Sequence, residues 1–375
     1  MIIVPDHGNR EAFSQPRSIV RIDGREVWFN SWTVNLNSAS QADDFSIELP
    51  FRIMRDATPS FLVNSIEHPS HLLVKSEILV EIFVGRPDDP QKYNAASLTR
   101  ILYGTVDSIE INCSSSGEVI NLTGRNMVAT FLDHKTNEKF PNLTASQIAE
   151  TLATRRKLKS QVFPTYTKVG AYANEDSVEM NNDSQSEWDL LTHLAEQEDY
   201  IVRVYGDTLF FGPFDEQKDV GWSSEIYNYT WGQNVEDFTI TRNPHAGKNL
   251  YVDVHSYNPA SGEHVLATAE RLFGTDDATE YRERHFFPGL NQEQAELLAK
   301  SYLTQLGQNE LTGTLNVSGN EKLHVDGRIA LYGTGTLLSD FYFIKKASHK
   351  FSLSDGFRTE LTISNFLQGG QDCAC

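Results

Sequence analysis

Cysteine, long apolar runs and positive charge are all scarce in this sequence. Only three cysteines occur among 375 residues, and Cys373 and Cys375 are two of them. So few cysteines cannot form a disulfide framework in a chain of this length, which predicts a reducing compartment. No window approaches the roughly 18 uninterrupted apolar residues of a membrane helix, and the first residues carry no cationic flank of a secretory signal. We therefore expect synthesis in the cytoplasm and no membrane anchor.

The charge balance is strongly acidic. Acidic residues outnumber basic ones, 51 to 32, which gives a formal net charge of −19. Tight binders of a phosphate backbone use clustered Lys and Arg, so this composition argues against a protein that holds nucleic acid. An acidic wall would instead repel a polyanion and leave it free to slide past.

The first third of the chain has the pattern of a β domain. A chain of 375 residues predicts two or three domains, because one core usually serves roughly 100 to 200 residues. From Ser18 to about Arg125, strand patterns follow one another with short polar breaks; Ile78, Val80 and Ile82 show the alternation of a half-buried strand. We expect a first tube-like β domain over residues 1–135.

Helix signals distinguish the middle of the chain. Thr144 and Gln147 form a capping box ahead of an apolar stripe, which predicts a helix over about residues 145–158. Ser186 is placed to cap a second helix whose apolar face includes Trp188. A strand pair on either side of Gly206 then predicts a hairpin with a two-residue turn. We expect a small α+β middle domain over residues 136–232.

Strand patterns return from about residue 234. One amphipathic helix interrupts them, with Asn291 as its expected N-cap and Gly307 at its expected C-terminus. Residues 233–375 therefore predict a second tube-like β domain with one helix. The expected fold class is mainly β with α+β insertions, in which two tube-like antiparallel β-barrel or sandwich domains accompany a small α+β middle domain.

The two β regions share an order of parts. In both, a long strand is followed by a tight turn and a Leu-Thr strand: Ser116-Gly117 precedes Leu122-Thr123, and Asp355-Gly356 precedes Leu361-Thr362. This order favours duplication of one unit. The alternative is chance convergence of two β domains, since few residues are identical between the halves.

Catalytic, cofactor and metal fingerprints are not found in the sequence. Gly-x-Ser-x-Gly, phosphate-loop, dinucleotide and His-Glu-x-x-His patterns do not occur, and Gly333 and Gly335 are typical of a β turn. His68 and His71 have a metal-like spacing but lack a nearby Cys or carboxylate pair. His349 falls on a predicted strand, where a structural hydrogen bond is favoured over catalysis. We therefore predict no catalytic, cofactor or metal site.

Adjacent acids raise the possibility of glycoside hydrolysis. That chemistry needs two carboxylates that face one cleft, whereas neighbours on a strand point to opposite faces. The pairs are therefore interpreted as solvated turns: Asp43-Asp44, Glu175-Asp176 and Asp276-Asp277.

Several segments are informative as an ordered series. They are Leu122–Arg125, the Thr144–Leu158 helix, Ser184–Tyr200, Leu323–Gly327, Phe341–Ala347, His349 and Phe357–Ile363. Together they resemble the phage late control D family, the baseplate hub proteins of contractile tails. The resemblance implies structural roles for six positions: Gly124, Arg125, Trp188, Asp326, Gly327 and His349.

Two departures from the family pattern keep turn chemistry. Asp326-Gly327 stands where the family often has Pro-Gly, and Ser339-Asp340 stands where it often has Asp-Gly. The resemblance implies a homotrimer with two tube-like β domains per chain, so that three chains present six similar units. It further implies a place in the virion baseplate between the tail tube and the spike, contacts with other baseplate proteins, and DNA only in transit.

Two other functions remain open from the sequence. One is a distal tail or spike-base protein of a non-contractile tail. The other is a peptidoglycan-cleaving tail enzyme. Co-purification with neighbouring tail proteins separates the first from a hub, and loss of turbidity of purified cell walls would reveal the second.

Overall fold

The structure, a computed structural model, is mainly β. It describes residues 15–38, 41–50, 75, 77–114, 117–135, 138–166, 168–169, 177–179, 185–198, 200–213, 225–243, 249–258, 263–271, 280–288, 290, 292–307, 311–335 and 338–365. Twenty-one strands and four α-helices lie within these ranges. None of these helices has the length and apolar character needed to span a bilayer.

The elements follow one another in three stretches. The first contains β1 (Arg17–Ile22), β2 (Arg25–Val27), β3 (Ser31–Leu36), β4 (Asp44–Pro50), β5 (Leu79–Gly85), β6 (Thr99–Ser114) and β7 (Gly117–Asn126). The second contains α1 (Ala129–Leu132), β8 (Lys139–Pro141), α2 (Ala145–Arg155), β9 (Lys159–Val162), β10 (Ser177–Glu179), α3 (Glu187–Gln197), β11 (Ile201–Tyr205) and β12 (Thr208–Gly212). The third contains β13 (Ile226–Thr230), β14 (Val235–Arg242), β15 (Asn249–Asn258), β16 (Glu263–Arg271), β17 (Glu280–Pro288), α4 (Gln292–Gly307), β18 (Leu311–Ser318), β19 (Arg328–Tyr332), β20 (Phe341–Ser352) and β21 (Gly356–Asn365).

A single 13-stranded sheet joins the first and third stretches. Its strand order is β14-β18-β21-β20-β3-β4-β7-β6-β5-β1-β2, and β19 pairs with both β13 and β20. Every described pair in this sheet is antiparallel except β13 with β19, which is parallel. The parallel pairing is possible because a long stretch of chain separates these two strands, which a hairpin could not provide.

Within this sheet, two units have the same strand order. We call β1 and β3–β7 the first unit, with order β1-β5-β6-β7-β4-β3, and β13, β14 and β18–β21 the second unit, with order β13-β19-β20-β21-β18-β14. Numbered along the chain within each unit, both read 1-4-5-6-3-2. The match agrees with the duplication hypothesis, although the first unit pairs β1 with β5 antiparallel where the second has its parallel pair.

A β-bulge falls at the same place in both units. In β6 the register shifts between Val106 and Ser108, opposite Gly124 and Thr123 of β7. In β20 it shifts between Ile344 and Lys346, opposite Ile363 and Thr362 of β21. Bulges bend a strand at a fixed point, so equal placement beside the two Leu-Thr segments gives a residue-by-residue correspondence between the units.

Aromatic packing holds the two units together inside one chain. Strand β3 pairs with the C-terminal half of β20, from Ala347 to Ser352. There Trp32, which is 2% exposed, stacks on Phe351 with ring centroids 5.9 Å apart and lies 6.1 Å from Phe357. The cores of the first and second units therefore meet at this strand pair.

The middle part forms its own core. Helices α1, α2 and α3 pack on the three-stranded sheet β11-β12-β9, and Phe131 and Trp188 lie 5.9 Å apart in that core. The predicted capping box of Thr144 and Gln147 is confirmed, as is the hairpin, whose turn places Gly206 at a φ of +58°. Helix α2 ends earlier than expected, at Arg155, because the chain turns at Lys157 with a φ of +59°.

Strands β15–β17 form a separate sheet with order β16-β15-β17, instead of joining the large one. Helix α4 packs its Ala295 and Ala299 against Val252 and Val254 of this sheet. The amphipathic helix is thus confirmed, and its expected cap Asn291 lies outside the described residues. This layer is an insertion between β14 and β18 of the second unit.

We expect Gly124→Ala to destabilise the first unit. A Cβ at Gly124 would lie 2.1 Å from the carbonyl oxygen of Thr105 and 2.7 Å from Cζ of Phe45. Overpacking of this kind costs about 1–3 kcal/mol, measurable as a lower urea midpoint. Gly85→Ala is the matched control, because its Cβ would find its nearest atom at 3.6 Å. Equal midpoints for the two variants would contradict the prediction.

Candidate functional site

The first unit, the middle part and the second unit meet around a cavity of about 340 Å³, which we call the junction cavity. The β3–β4 connection and β6 line it from the first unit, the β11–β12 hairpin and Trp188 from the middle part, and the turn before β19 from the second unit. Its polar side chains include Asn37, Asp43, Arg100, Tyr103, Asn126, Arg203, Tyr205 and His324.

Asp43 lies at the inner end of the β3–β4 connection. Its carboxylate accepts hydrogen bonds from the backbone N–H of Asn37 at 2.8 Å and from Nδ2 of Asn126 at 2.7 Å. Burial nevertheless raises the pKa of Asp43 to about 6, because the hydrogen bonds and the nearby Arg203 only partly offset the loss of water. Asp43 is thus less solvated than the interpretation of Asp43-Asp44 as a solvated turn implies, because its carboxylate is partly buried and hydrogen-bonded. The pairs Glu175-Asp176 and Asp276-Asp277 lie outside the described residues.

Arg203 connects the middle part to the second unit. It extends from β11 and donates from Nη2 to Oδ2 of Asp326. Its side chain is only 13% exposed, and the neighbouring Tyr205 has its pKa raised to about 12 by burial. A cation this enclosed needs a nearby anion, so Asp326 fixes where the hairpin sits against the second unit.

The turn that carries Asp326 is held against β20. Asp326 has a φ of +62°, and its N–H donates to the carbonyl of Ile344 at 2.9 Å. The N–H of Gly327 donates to the carbonyl of His324 at 3.1 Å, and its carbonyl accepts from Ile344 at 3.0 Å. Asp and Gly both tolerate unusual turn geometry, which explains the Asp-Gly pair here.

His349 has a fully defined hydrogen-bond environment on β20. It has 0% exposure, its Nε2 lies 3.1 Å from the carbonyl of Leu323, and its Nδ1 lies 3.0 Å from Oγ1 of Thr359. A carbonyl only accepts, so Nε2 carries the proton and Nδ1 accepts from the Thr359 hydroxyl. Burial, together with the neighbouring His324, lowers the pKa of His349 to about 4. Both ring nitrogens of His349 thus have hydrogen-bond partners within the chain.

Four of the six positions implied by the resemblance lie around the junction cavity. Trp188 lines it, Asp326 contacts Arg203, and Gly327 and His349 fix the turn that borders it. The remaining two lie in β7 of the first unit, where Gly124 faces Phe45 and Arg125 donates to Asp107 at 2.7 Å and to Asp133 at 2.9 Å.

Sequence reasoning missed Asp43 and Arg203 as site residues. A signal for Arg203 exists, since it is the one cation of a short strand, Ile201–Tyr205, that is otherwise apolar or aromatic. No comparable signal marks Asp43. Its environment includes Arg203, which lies 160 residues away in sequence.

Within the ranges that the structure describes, no group of three or more His, Cys, Asp or Glu side chains is arranged to hold a metal ion. His68, His71, Cys373 and Cys375 lie outside those ranges. The arrangement in the junction cavity is one of ion pairs and hydrogen bonds that connect three parts of one chain.

Neutralising Asp43 is expected to stabilise the protein at neutral pH. The pKa of Asp43 is about 6 in the fold and 3.8 ordinarily, so the folded chain holds the proton more tightly. The native state thus loses stability as pH rises from 3.8 through 6, by up to about 3 kcal/mol for a shift of about two units. Asp43→Asn should raise the urea midpoint at pH 7.5 and leave it near the wild-type value at pH 4. Exposed Asp88→Asn is the control, and a loss of stability in Asp43→Asn at pH 7.5 would refute the assignment.

Two solved structures of tail proteins are similar to this chain. A tail protein from Neisseria meningitidis matches with a TM-score of 0.65 and 15% identity, over 94% of this chain and 97% of its own. The 43 kDa tail protein of prophage MuSo2 from Shewanella oneidensis matches with a TM-score of 0.63 and 12% identity, over 93% and 98%. The chain has the fold of phage tail proteins. No protein-family model and no curated protein sequence matches it.

A component of a secretion system is also similar in structure to this chain. An Escherichia coli component of the type VI secretion system, described as similar in structure to the tail proteins gp27 and gp5 of bacteriophage T4, matches with a TM-score of 0.53 and 10% identity, over 93% of this chain and 77% of its own. The tail-protein fold therefore covers both β units and the middle part of this chain. This confirms, at the level of fold, the resemblance on which the hub expectation depends.

Proposed function

We propose that this protein is a structural baseplate hub that joins a tail tube to a central spike. Three copies form a ring, each copy contributes its first and second units, and the ring offers six similar units to the tube and three identical chains to the spike. The observation that carries the proposal is the common strand order of the two units, with matching bulges, inside one chain. A closed ring needs matching surfaces on successive units.

The division of the chain follows from this proposal. Residues 1–135 and 233–375 contain the two tube-like domains, and residues 136–232 contain the middle domain. Two elements cross these limits in their contacts: Phe131 of α1 packs into the core of the middle part, and β13 pairs with β19 of the second unit. The middle domain is attached to the second unit through Arg203 and Asp326.

The acidic composition supports passage of DNA through the ring. A net charge of −19 repels a polyanion, so DNA in transit is not retained. The protein would be synthesised in the host cytoplasm and reside in the virion baseplate with tube, spike and other baseplate proteins. We propose no catalytic role, in line with the structural use of His349 and of the ion pairs around the junction cavity.

Mass and imaging test the proposal together. The purified chain should have a native mass near three times 42.3 kDa, and negative-stain images should show a ring with a central channel. Tail tube and spike proteins should co-purify with it from assembled particles. A stable monomer without affinity for tube or spike would refute the hub, and loss of turbidity of purified cell walls would favour the enzyme instead.

A further inference from the structure

The junction between the two units provides a template for contacts between copies. Within one chain, β3 is the edge strand of the first unit, and it pairs antiparallel with the C-terminal half of β20. The N-terminal half of β20 pairs with β19 of its own unit. The N-terminal half of β20 therefore pairs within the second unit, and its C-terminal half pairs with the first unit.

The common strand order identifies the counterparts of both strands. β6 corresponds to β20, because each lies between the fourth and sixth strands of its unit and carries the bulge. β14 corresponds to β3, because each is the end strand beyond the third. The Leu-Thr segments of β7 and β21 align the two units residue by residue. From each segment, the cross-strand pairs lead through the third strand to the end strand. Phe238 then corresponds to Trp32, and Ile240 corresponds to Val34.

The outer edge of β14 lacks the cover that β3 has. Trp32 and Val34 are 2% and 0% exposed, whereas Phe238 and Ile240 are only partly buried. Trp231, which is 44% exposed, packs edge-to-face on Phe238 with ring centroids 5.1 Å apart. β14 is the last strand of the sheet path, so among the described strands none pairs with this apolar edge, whereas β3 has β20 as a neighbour.

The C-terminal half of β6 is also more exposed than the corresponding half of β20. Strand β5 pairs with β6 only as far as Thr105, and no other described strand pairs with that side of residues 108–114. Ile109 and Ile111 are partly buried, while their counterparts in β20, Ala347 and His349, are fully buried. Open strand edges of this kind are templates for pairing with another chain.

We propose that β14 of one copy pairs antiparallel with residues 108–114 of β6 in a second copy, reproducing the β3–β20 junction between chains. The register of that junction, Trp32 opposite Phe351 and Val34 opposite His349, places Phe238 opposite Cys113 and Ile240 opposite Ile111. The contact deepens the proposed function and rests on it, because each copy offers one β14 and one β6, and such a head-to-tail contact closes only as a ring.

The native Cys113, which is exposed and free, makes the register testable. In a chain with Cys373→Ser and Cys375→Ser, we introduce Phe238→Cys and treat the assembled protein with an oxidant or a short bis-maleimide. Residues directly opposite on paired strands have Cβ atoms roughly 4.5–5.5 Å apart, so Cys113 and position 238 should crosslink between copies. Non-reducing gels should show bands that end at three chains.

Two controls test which face of β14 forms the contact and whether Cys113 is the crosslinked partner. Thr239→Cys in the same background directs its side chain to the other face of β14 and should give about tenfold less crosslinking. Phe238→Cys combined with Cys113→Ser should give none. A second pair, Ile240→Cys with Ile111→Cys in a chain with Cys113→Ser, should again stop at three chains.

The outcomes separate this contact from the proposed function. A trimeric mass with no crosslink at either cysteine pair would contradict the strand pairing but not the proposed ring. A monomeric wild-type chain would overturn both. A ladder that continues beyond three chains would support the strand pairing and overturn the closed ring.

Discussion

Replacing Trp32 with alanine is expected to lower the free energy of unfolding by about 3–5 kcal/mol, the usual cost of removing a large buried aromatic side chain. The indole is 2% exposed and packs against Phe351 and Phe357 of the second unit. Its Nε1 donates to Oγ of Ser18 at 2.9 Å, and that hydroxyl donates in turn to the carbonyl of Phe83. The substitution thus leaves a cavity at the point where the two units join.

Trp28→Ala is the matched control for this effect. Trp28 lies four positions earlier in the sequence but is 89% exposed, so its removal should leave the urea midpoint nearly unchanged. Trp32→Phe, which keeps an aromatic ring but loses the hydrogen bond, should fall between the two. Should Trp32→Ala unfold at the same urea concentration as Trp28→Ala, the β3–β20 junction would not be a major contribution to stability.

Local features of the fold could be predicted from the sequence. The capping box at Thr144 and Gln147 satisfies free N–H groups from residues three positions apart, and the Gly206 hairpin needs only a left-handed turn residue between two strands. The shared turn and Leu-Thr segments also predicted two similar units. Each of these signals is contained within about a dozen residues.

Long-range pairing could not be predicted in the same way. Nothing local in β3 specifies that it pairs with β20, whose residues lie more than 300 positions away. The choice depends on which apolar edge remains uncovered once each unit has formed. The same reason explains why β15–β17 form their own sheet, since alternation predicts a strand and not its neighbour.

The candidate site was only partly predictable for an electrostatic reason. Asp326 and Gly327 have recognisable turn chemistry, and His349 lies in a segment that the strand pattern predicts. Asp43 carries no such mark, because its electrostatic environment includes a cation that only the fold brings close. In this chain that cation is Arg203, in a different part of the molecule.

Stability is expected to fall in mild acid through two histidines, His349 and His324. The pKa of His349 and that of His324 are both about 4, lowered from 6.5 chiefly by burial. The unfolded chain takes up protons near pH 6.5 and the folded chain only near pH 4, so stability is fully present above 6.5 and falls as pH drops through 4. A shift of about 2.5 units corresponds to about 3 kcal/mol for each histidine.

Hydrogen bonding explains why the charged form of His349 fits badly. A proton on Nδ1 would need an acceptor, but Oγ1 of Thr359 already donates to that nitrogen and accepts from the N–H of Asn320 at 3.2 Å. Protonation would therefore require the Thr359 hydroxyl to rotate, accept from Nδ1 and lose the acceptor of its own O–H in a site with 0% exposure. Glutamine can keep both contacts without titrating, because its amide offers one donor and one acceptor.

The histidine effect is best measured in the Asp43→Asn chain, because Asp43 gives an opposite slope between pH 3.8 and 6 that hides part of it. There, His349→Gln should reduce the slope of unfolding free energy against pH by up to about 1.4 kcal/mol per pH unit between pH 4 and 6.5. The same exchange at exposed His193 should not change it. An unchanged slope in His349→Gln would mean that His349 takes up its proton over the same pH range in the folded and the unfolded chain, which would contradict the lowered pKa.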